Sequence, residues 1–260
     1  MMPYYILAAA LITALYFIFK KRKSKQGTAV TIAGPQRKLL LDHVAFYQHL
    51  DQPGRNKFES LITLFLNDVR IEGVGITIAP IDTLLIASSA VIPVFGFDHW
   101  RYKNLGSVLL YPDTFNKDFQ FEEESGERNI MGMVGTGFMN GQMILSRSAL
   151  HQGFSVTTDK ENTAIHEFVH LLDKADGATD GIPENLMPHQ YILPWVKMIH
   201  QEISKIEQGK SDINPYAITN EAEFLAVVSE YFFEKPEQFK EKHPDLYQVL
   251  SATFLQDPAG

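Results

Sequence analysis

Residues 1–19 carry no charged side chain (MMPYYILAAALITALYFIF), and Lys20, Lys21, Arg22, Lys23 and Lys25 follow at once. A membrane span needs about 20 apolar residues, so this run is just long enough for one transmembrane helix. A cleaved signal peptide would carry its positive charge before the apolar run and a small-residue cleavage site after it. Here the charge comes afterwards, and no such site precedes Lys20. The pattern therefore predicts a single-pass anchor over residues 1–19, a basic cuff and linker over 20–38, and a soluble domain over 39–260. The positive-inside rule places the amino terminus outside and the domain on the cytoplasmic side of the membrane.

Beyond the linker the pattern is globular. Residues 39–50 and 56–69 show helical spacing of apolar positions, separated by the breaker Asp51-Gln52-Pro53-Gly54. Residues 71–78 read as a short strand around Gly73 and Gly75. Pro80 suits the first turn of a core helix over residues 81–94, which contains Asp82 and is too short to span a membrane. Ser107–Tyr111 reads as a strand closed by Pro112, and residues 119–128 as an acidic loop. Residues 131–139 and Gln142–Ser146 flank Asn140-Gly141, a signature of a hairpin with a type I′ turn. Strands dominate the middle and helices flank them, which predicts an α+β fold with a mostly antiparallel sheet.

Composition narrows the chemistry. The 260 residues include no cysteine, which excludes disulfides, thiolate nucleophiles, iron–sulfur clusters and Cys-ligated zinc but leaves His and carboxylate ligands. The formal net charge is −8, and taking the five basic residues of the cuff from 23 Lys+Arg leaves 18 against 31 Asp+Glu, or −13 for the rest. That balance argues against a broad nucleic-acid-binding face.

The informative residues are His166-Glu167-Phe168-Val169-His170. On a helix, positions i and i+4 share a face, so both imidazoles can reach one ion, with Glu167 placed to deprotonate a water beside it. With nine His in the chain, a shuffled sequence would contain this H-E-x-x-H spacing roughly 0.02 times, so chance does not account for it. Helical context is present: Thr158 and Glu161 have capping-box spacing, Ile165, Phe168, Val169 and Leu172 form an apolar stripe, and Gly177 suits a C-terminal stop. A catalytic zinc takes three protein ligands and keeps one open position. No further histidine has ligand-like spacing, so a carboxylate from a second helix is the natural third ligand. Residues 221–233 form that helix, with Phe224, Val227, Val228, Tyr231 and Phe232 facing the core and Glu223 and Glu230 sharing a flank. Spacing leaves Glu223 two roles, metal ligand or capping-box partner of Asn220. Asp173 lies on the histidine face near a helix C-terminus, where a negative charge opposes the macrodipole. A hydrogen bond to a ligand histidine would compensate it, the other reading being a simple surface aspartate, and Glu230 is a second candidate for such a bond. Tyr216 is placed to polarise a carbonyl or simply to pack.

With these residues in hand, the chain resembles the Mlc titration factor A family of zinc metallopeptidases. The likeness runs through residues 166–173, Asp176-Gly177, Gly181-Ile182-Pro183, Asn214-Pro215-Tyr216-Ala217 and residues 223–233, with weaker similarity over 58–115. The resemblance implies a zincin-like, gluzincin-type core with two zinc-binding helices, related to the catalytic domain of anthrax lethal factor. It implies one zinc ion bound by His166, His170 and Glu223, Glu167 as general base, and Tyr216 as the group that stabilises the oxyanion. Members are described as peptidases, notably aminopeptidases, and one binds a glucose-responsive transcriptional repressor. Two departures stand out: the apolar amino terminus, and Val227 where lethal factor has a second Glu.

The sequence thus predicts a membrane-anchored zinc peptidase acting on peptide or protein substrates. Gln142, Met143, Ile144, Leu145 and Ser146 would align the substrate backbone by strand addition. The rival is a binding module that sequesters a transcriptional regulator, with hydrolysis incidental.

Overall fold

The computed structural model describes residues 32–113, 131–135, 140–155 and 160–260. The apolar run 1–19, the basic residues that follow it, the acidic loop 119–128 and Thr158 lie outside the described residues. Among the described residues no helix is long and apolar enough to cross a membrane.

The first described helix, α1 (Gly34–His43), begins inside the stretch read as linker. Arg37 explains its place in the folded unit: its guanidinium forks onto the Glu59 carboxylate at 2.9–3.0 Å, and Tyr47 Oη donates to the same carboxylate at 2.7 Å. The single helix expected over residues 39–50 is broken at Val44, whose extended backbone (φ −117°, ψ 97°) separates α1 from α2 (Ala45–His49). Val44 is fully buried, so its packing overrides the helical run. Asp51-Gln52-Pro53-Gly54 both ends one helix and starts the next. Asp51 caps α3 (Gln52–Asp68) by accepting from Gly54 N at 2.8 Å, and Pro53 occupies its first turn.

After β1 (Arg70–Gly73), α4 (Pro80–Val91) starts at the proline, as predicted, and runs through the core. Its buried Asp82 is matched by Arg147 at 2.5 Å, His151 at 2.7 Å and the Ala79 amide at 2.8 Å. The remaining strands are β2 (Ser107–Tyr111), β3 (Gly132–Val134) and β4 (Gln142–Ser146), in the spatial order β1-β2-β4-β3. β1 and β2 are parallel, β2 and β4 are parallel, and only β3 and β4 are antiparallel. The sheet is therefore mixed, not mostly antiparallel. The β1–α4–β2 passage is a helical crossover, which is what parallel neighbours require.

β3 and β4 do pair as a hairpin, but not through a two-residue turn at Asn140-Gly141. Val134 lies opposite Met143 and Gly135 N donates to Gln142 O at 2.9 Å, a register whose centre does not fall at Asn140-Gly141.

The C-terminal half is helical: α5 (Arg147–Ser155), α6 (Thr163–Asp173), α7 (His189–Glu207), α8 (Glu221–Glu234), α9 (Pro236–Lys242) and α10 (Pro244–Phe254). α6 turns Ile165, Phe168, Val169 and Leu172 into the core, as its spacing predicts. Phe168 packs against Phe65 of α3 at 5.6 Å and Tyr102 at 5.2 Å, while Phe224 of α8 meets Trp195 of α7 at 5.8 Å. Each fully buried ring of this kind contributes about 2–3 kcal/mol.

Candidate metal centre

α6 is capped by Asn162 rather than by a Thr158–Glu161 box. Asn162 Oδ1 accepts from Ile165 N at 3.2 Å. At its far end α6 tightens into a 3-10 turn over Lys174–Asp176 and stops at Gly177, whose φ of 109° is left-handed, as the sequence predicts.

α6 and α8 meet in an antiparallel ladder of acidic contacts. At the open end, Glu223 Oε2 lies 3.0 Å from His166 Nε2 and 3.4 Å from His170 Nε2. One level further in, Glu230 Oε1 bonds His166 Nδ1 at 2.7 Å and Oε2 accepts from Asn162 N at 2.5 Å. Glu234 Oε1 then accepts from Asn162 Nδ2 at 2.9 Å. The two roles left open for Glu223 divide within the residue: its backbone N–H goes to Asn220 Oδ1 at 2.9 Å, and its carboxylate turns to the histidines.

The donor set fits a metal ion. Ligand atoms of His166, His170 and Glu223 all lie within 4.8 Å of one another, and no other such group occurs among the described residues. The two imidazole Nε2 atoms are 3.1 Å apart. Atoms bound at 2.0–2.1 Å to a tetrahedral zinc are separated from one another by ~3.3 Å, close to this spacing. Glu230 beside Nδ1 and Glu223 beside Nε2 surround the His166 ring with negative charge, which a cation between Nε2 and the Glu223 carboxylate would balance. The electrostatics say the same. Burial alone would lower the His166 pKa, but Glu230, Glu223 and Glu167 outweigh it and raise it to about 10. Burial would raise Glu223, and the two histidines instead hold it well below the usual carboxylate range.

Glu167 is buried beside this cluster, and desolvation pushes its carboxyl upward despite the two histidines. It packs against Gly132 of β3, where a Cβ would lie 2.8 Å from Glu167 Cγ and 2.9 Å from Oε1. Tyr216, in the 3-10 turn Pro215–Ile218, has its ring 6.1 Å from that of His166. The metal-site residues, β3 and Tyr216 line one cleft of about 380 Å³.

Two expectations require correction. Asp173 makes no hydrogen bond to a ligand histidine. It accepts from Gly181 N at 2.9 Å, its other oxygen has no hydrogen-bond partner among the described residues, and burial raises its pKa to about 6. Gln142–Ser146 cannot take a substrate strand either, because β4 is flanked by β2 and β3. Among the described residues, the open edge of the sheet beside the site is that of β3. Met131 O accepts from Ser146 N, and Gly135 N donates to Gln142 O, so alternation turns the N–H and C=O of Gly132 and Val134 away from β4.

Sequence reasoning misses Gly181, although it lies within the quoted motif. Its N–H is held by Asp173, its carbonyl by Trp195 Nε1 at 2.8 Å, and a Cβ there would lie 2.2 Å from Glu221 O. It is the joint between the end of α6 and the start of α8.

Residues 18–255 match the model of a family described as glucose-regulated metallo-peptidase M90. The chain is 31% identical over 234 residues to an uncharacterized protein of Synechocystis sp., covering 85% of this chain and 83% of that one. It is 28% identical over 221 residues to the Mlc titration factor A of Klebsiella pneumoniae, covering 81% and 82%. With the Mlc titration factor A of Pectobacterium atrosepticum it shares 30% identity over 177 residues, 64% and 65% of the two chains.

Proposed function

The chain belongs to the glucose-regulated metallo-peptidase M90 family, and from that premise we propose that it is a zinc-dependent peptidase that cleaves peptide bonds with a water nucleophile. The observation that carries this reading is the convergence of His166 Nε2, His170 Nε2 and Glu223 Oε2 at 3.0–3.4 Å beside the buried carboxyl of Glu167.

A zinc ion held by His166, His170 and Glu223 would supply Lewis acidity and acidify a water at its open position. Glu167, its carboxyl pushed upward by burial, takes a proton from the attacking water and returns it to the leaving amine. Tyr216 donates its hydroxyl proton to the carbonyl oxygen as negative charge develops there. The outward backbone groups of Gly132 and Val134 pair with the substrate backbone and hold the scissile bond over Glu167. Glu230 keeps the His166 proton at Nδ1 and so keeps Nε2 free to bind.

Two variants test this reading together. Glu167→Gln keeps stoichiometric zinc and loses peptide hydrolysis, whereas Glu223→Ala loses both. A Glu167→Gln protein with full turnover would overturn the mechanism. The finer reading, an aminopeptidase, requires cleavage of a peptide with a free amino terminus and sparing of its N-acetylated form. The apolar run of residues 1–19 and the basic residues behind it support a membrane-anchored enzyme facing the cytoplasm, which reporter fusions after Lys25 would test. The alternative role, sequestering a transcriptional regulator, draws on the name Mlc titration factor A carried by relatives. An intact Glu167 favours the enzyme, because a binding surface needs no base.

A further inference from the structure

Lys174 is the only lysine or arginine that lines the cleft among the described residues, and every other charged group lining it is histidine or carboxylate. It follows His170 by one helical turn and Glu167 by two. Its Nζ donates to Gly135 O at 3.2 Å and to Asn140 Oδ1 at 3.3 Å, beside the end of β3. An ammonium group carries three protons, so these two contacts leave one without an acceptor among the described residues.

Two independent spacings put this charge at a definite distance from the reaction centre. Lys174 follows Glu167 by seven positions, at the junction of α6 with its 3-10 turn, which at 1.5 Å per residue is ~10 Å. Three residues of β3 separate Gly132, which touches Glu167, from Gly135, which touches Lys174, and at 3.3 Å per residue that is also ~10 Å. A peptide paired with the free edge of β3 therefore has one residue at Glu167 and another, two to three positions along, at Lys174. Resting on the peptidase reading above, we propose that Lys174 is a specificity determinant that selects peptides with a carboxylate two to three residues from the scissile bond.

The test uses the full chain with zinc and a set of fluorogenic peptides that differ only in Asp, Ala or Lys at each position flanking the cleavage point. Wild type is expected to favour Asp over Lys about five- to tenfold in kcat/KM at one position two to three residues away, on either side. Lys174→Glu is expected to reverse that order, and Lys174→Arg to retain it. Because Lys174→Glu could also disturb the hairpin it touches, binding of the same peptides is measured in the Glu167→Gln background, which needs no turnover. There the Asp peptide should bind more tightly to the single variant, which keeps Lys174, than to the double variant that adds Lys174→Glu. That result supports the proposal even if no peptide is cleaved, an outcome that would count against the peptidase reading alone. Uniform preference in wild type, or a preference that Lys174→Glu leaves unchanged in both assays, overturns it.

Discussion

Gly132 and Glu167 meet so closely that the strand bordering the cleft leaves no room for a Cβ over the carboxylate. The atoms that a Cβ would displace belong to the flexible Glu167 side chain and to that of Thr163, not to the backbone. Gly132→Ala is therefore expected to move Glu167 rather than unfold the protein. Turnover should fall about 10- to 100-fold with zinc content unchanged and a melting temperature close to wild type. A variant with wild-type kcat would show that the contact does not position the carboxylate.

Glu230 makes a different prediction. Glu230→Gln removes the charge that holds the His166 proton at Nδ1, and outer partners of this kind tune affinity about 10- to 100-fold. Chelator competition should show zinc binding weakened by that factor. In the metal-free protein, the His166 proton should be lost at a pH below about 10, readable from its imidazole resonances.

At Gly181 the obstacle is backbone. Its φ is 77°, and the Glu221 carbonyl oxygen would lie 2.2 Å from an added Cβ. Gly181→Ala should destabilise the fold by about 2–4 kcal/mol by urea denaturation, and should weaken zinc binding by shifting the start of α8 that carries Glu223.

Asp173 predicts a pH dependence with a definite sign. Its carboxyl ionises near 3.8 when exposed and at about 6 when folded. The folded state therefore binds more protons than the unfolded state between those values. The stability contribution of the protonated group is complete below 3.8 and is lost as pH rises through about 6. The substitution Asp173→Asn would keep an acceptor for Gly181 N and remove the titrating group. The stability of metal-free Asp173→Asn relative to wild type should grow by about 1 kcal/mol between roughly pH 5 and pH 8 in urea titrations. A gap independent of pH would remove Asp173 as its source.

The parts of this site that share one helix are legible in the sequence. His166, Glu167 and His170 lie within five consecutive positions, and the helix that carries them declares itself by Ile165, Phe168, Val169 and Leu172. Glu223 is different: spacing alone leaves it between ligand and cap, because its distance from the histidines depends on how α8 packs on α6. The direction of the strands is hidden for a related reason. Buried strands such as Ser107–Tyr111 and Gln142–Ser146 read alike in parallel and antiparallel sheets; the α4 crossover marks β1 and β2 as parallel, but the direction of β4 against β2 emerges only in the folded sheet. The Asn140-Gly141 pair suggests a tight turn at itself, whereas the register, with Val134 opposite Met143, does not centre the hairpin there. Gly132, Gly181 and the Asn162–Glu234 contact have no local signature, since each answers to an atom distant in the chain.

The ladder between α6 and α8 bears on how the protein would live with changing metal supply. Its inner levels, Glu230 to Asn162 and Glu234 to Asn162, close without any cation. The two helices that bear the ligands are thus tethered whether or not an ion is present. A cation between His166, His170 and Glu223 would then bind and leave on a preformed scaffold, so metal removal is expected to cost affinity-linked stability without separating the two helices.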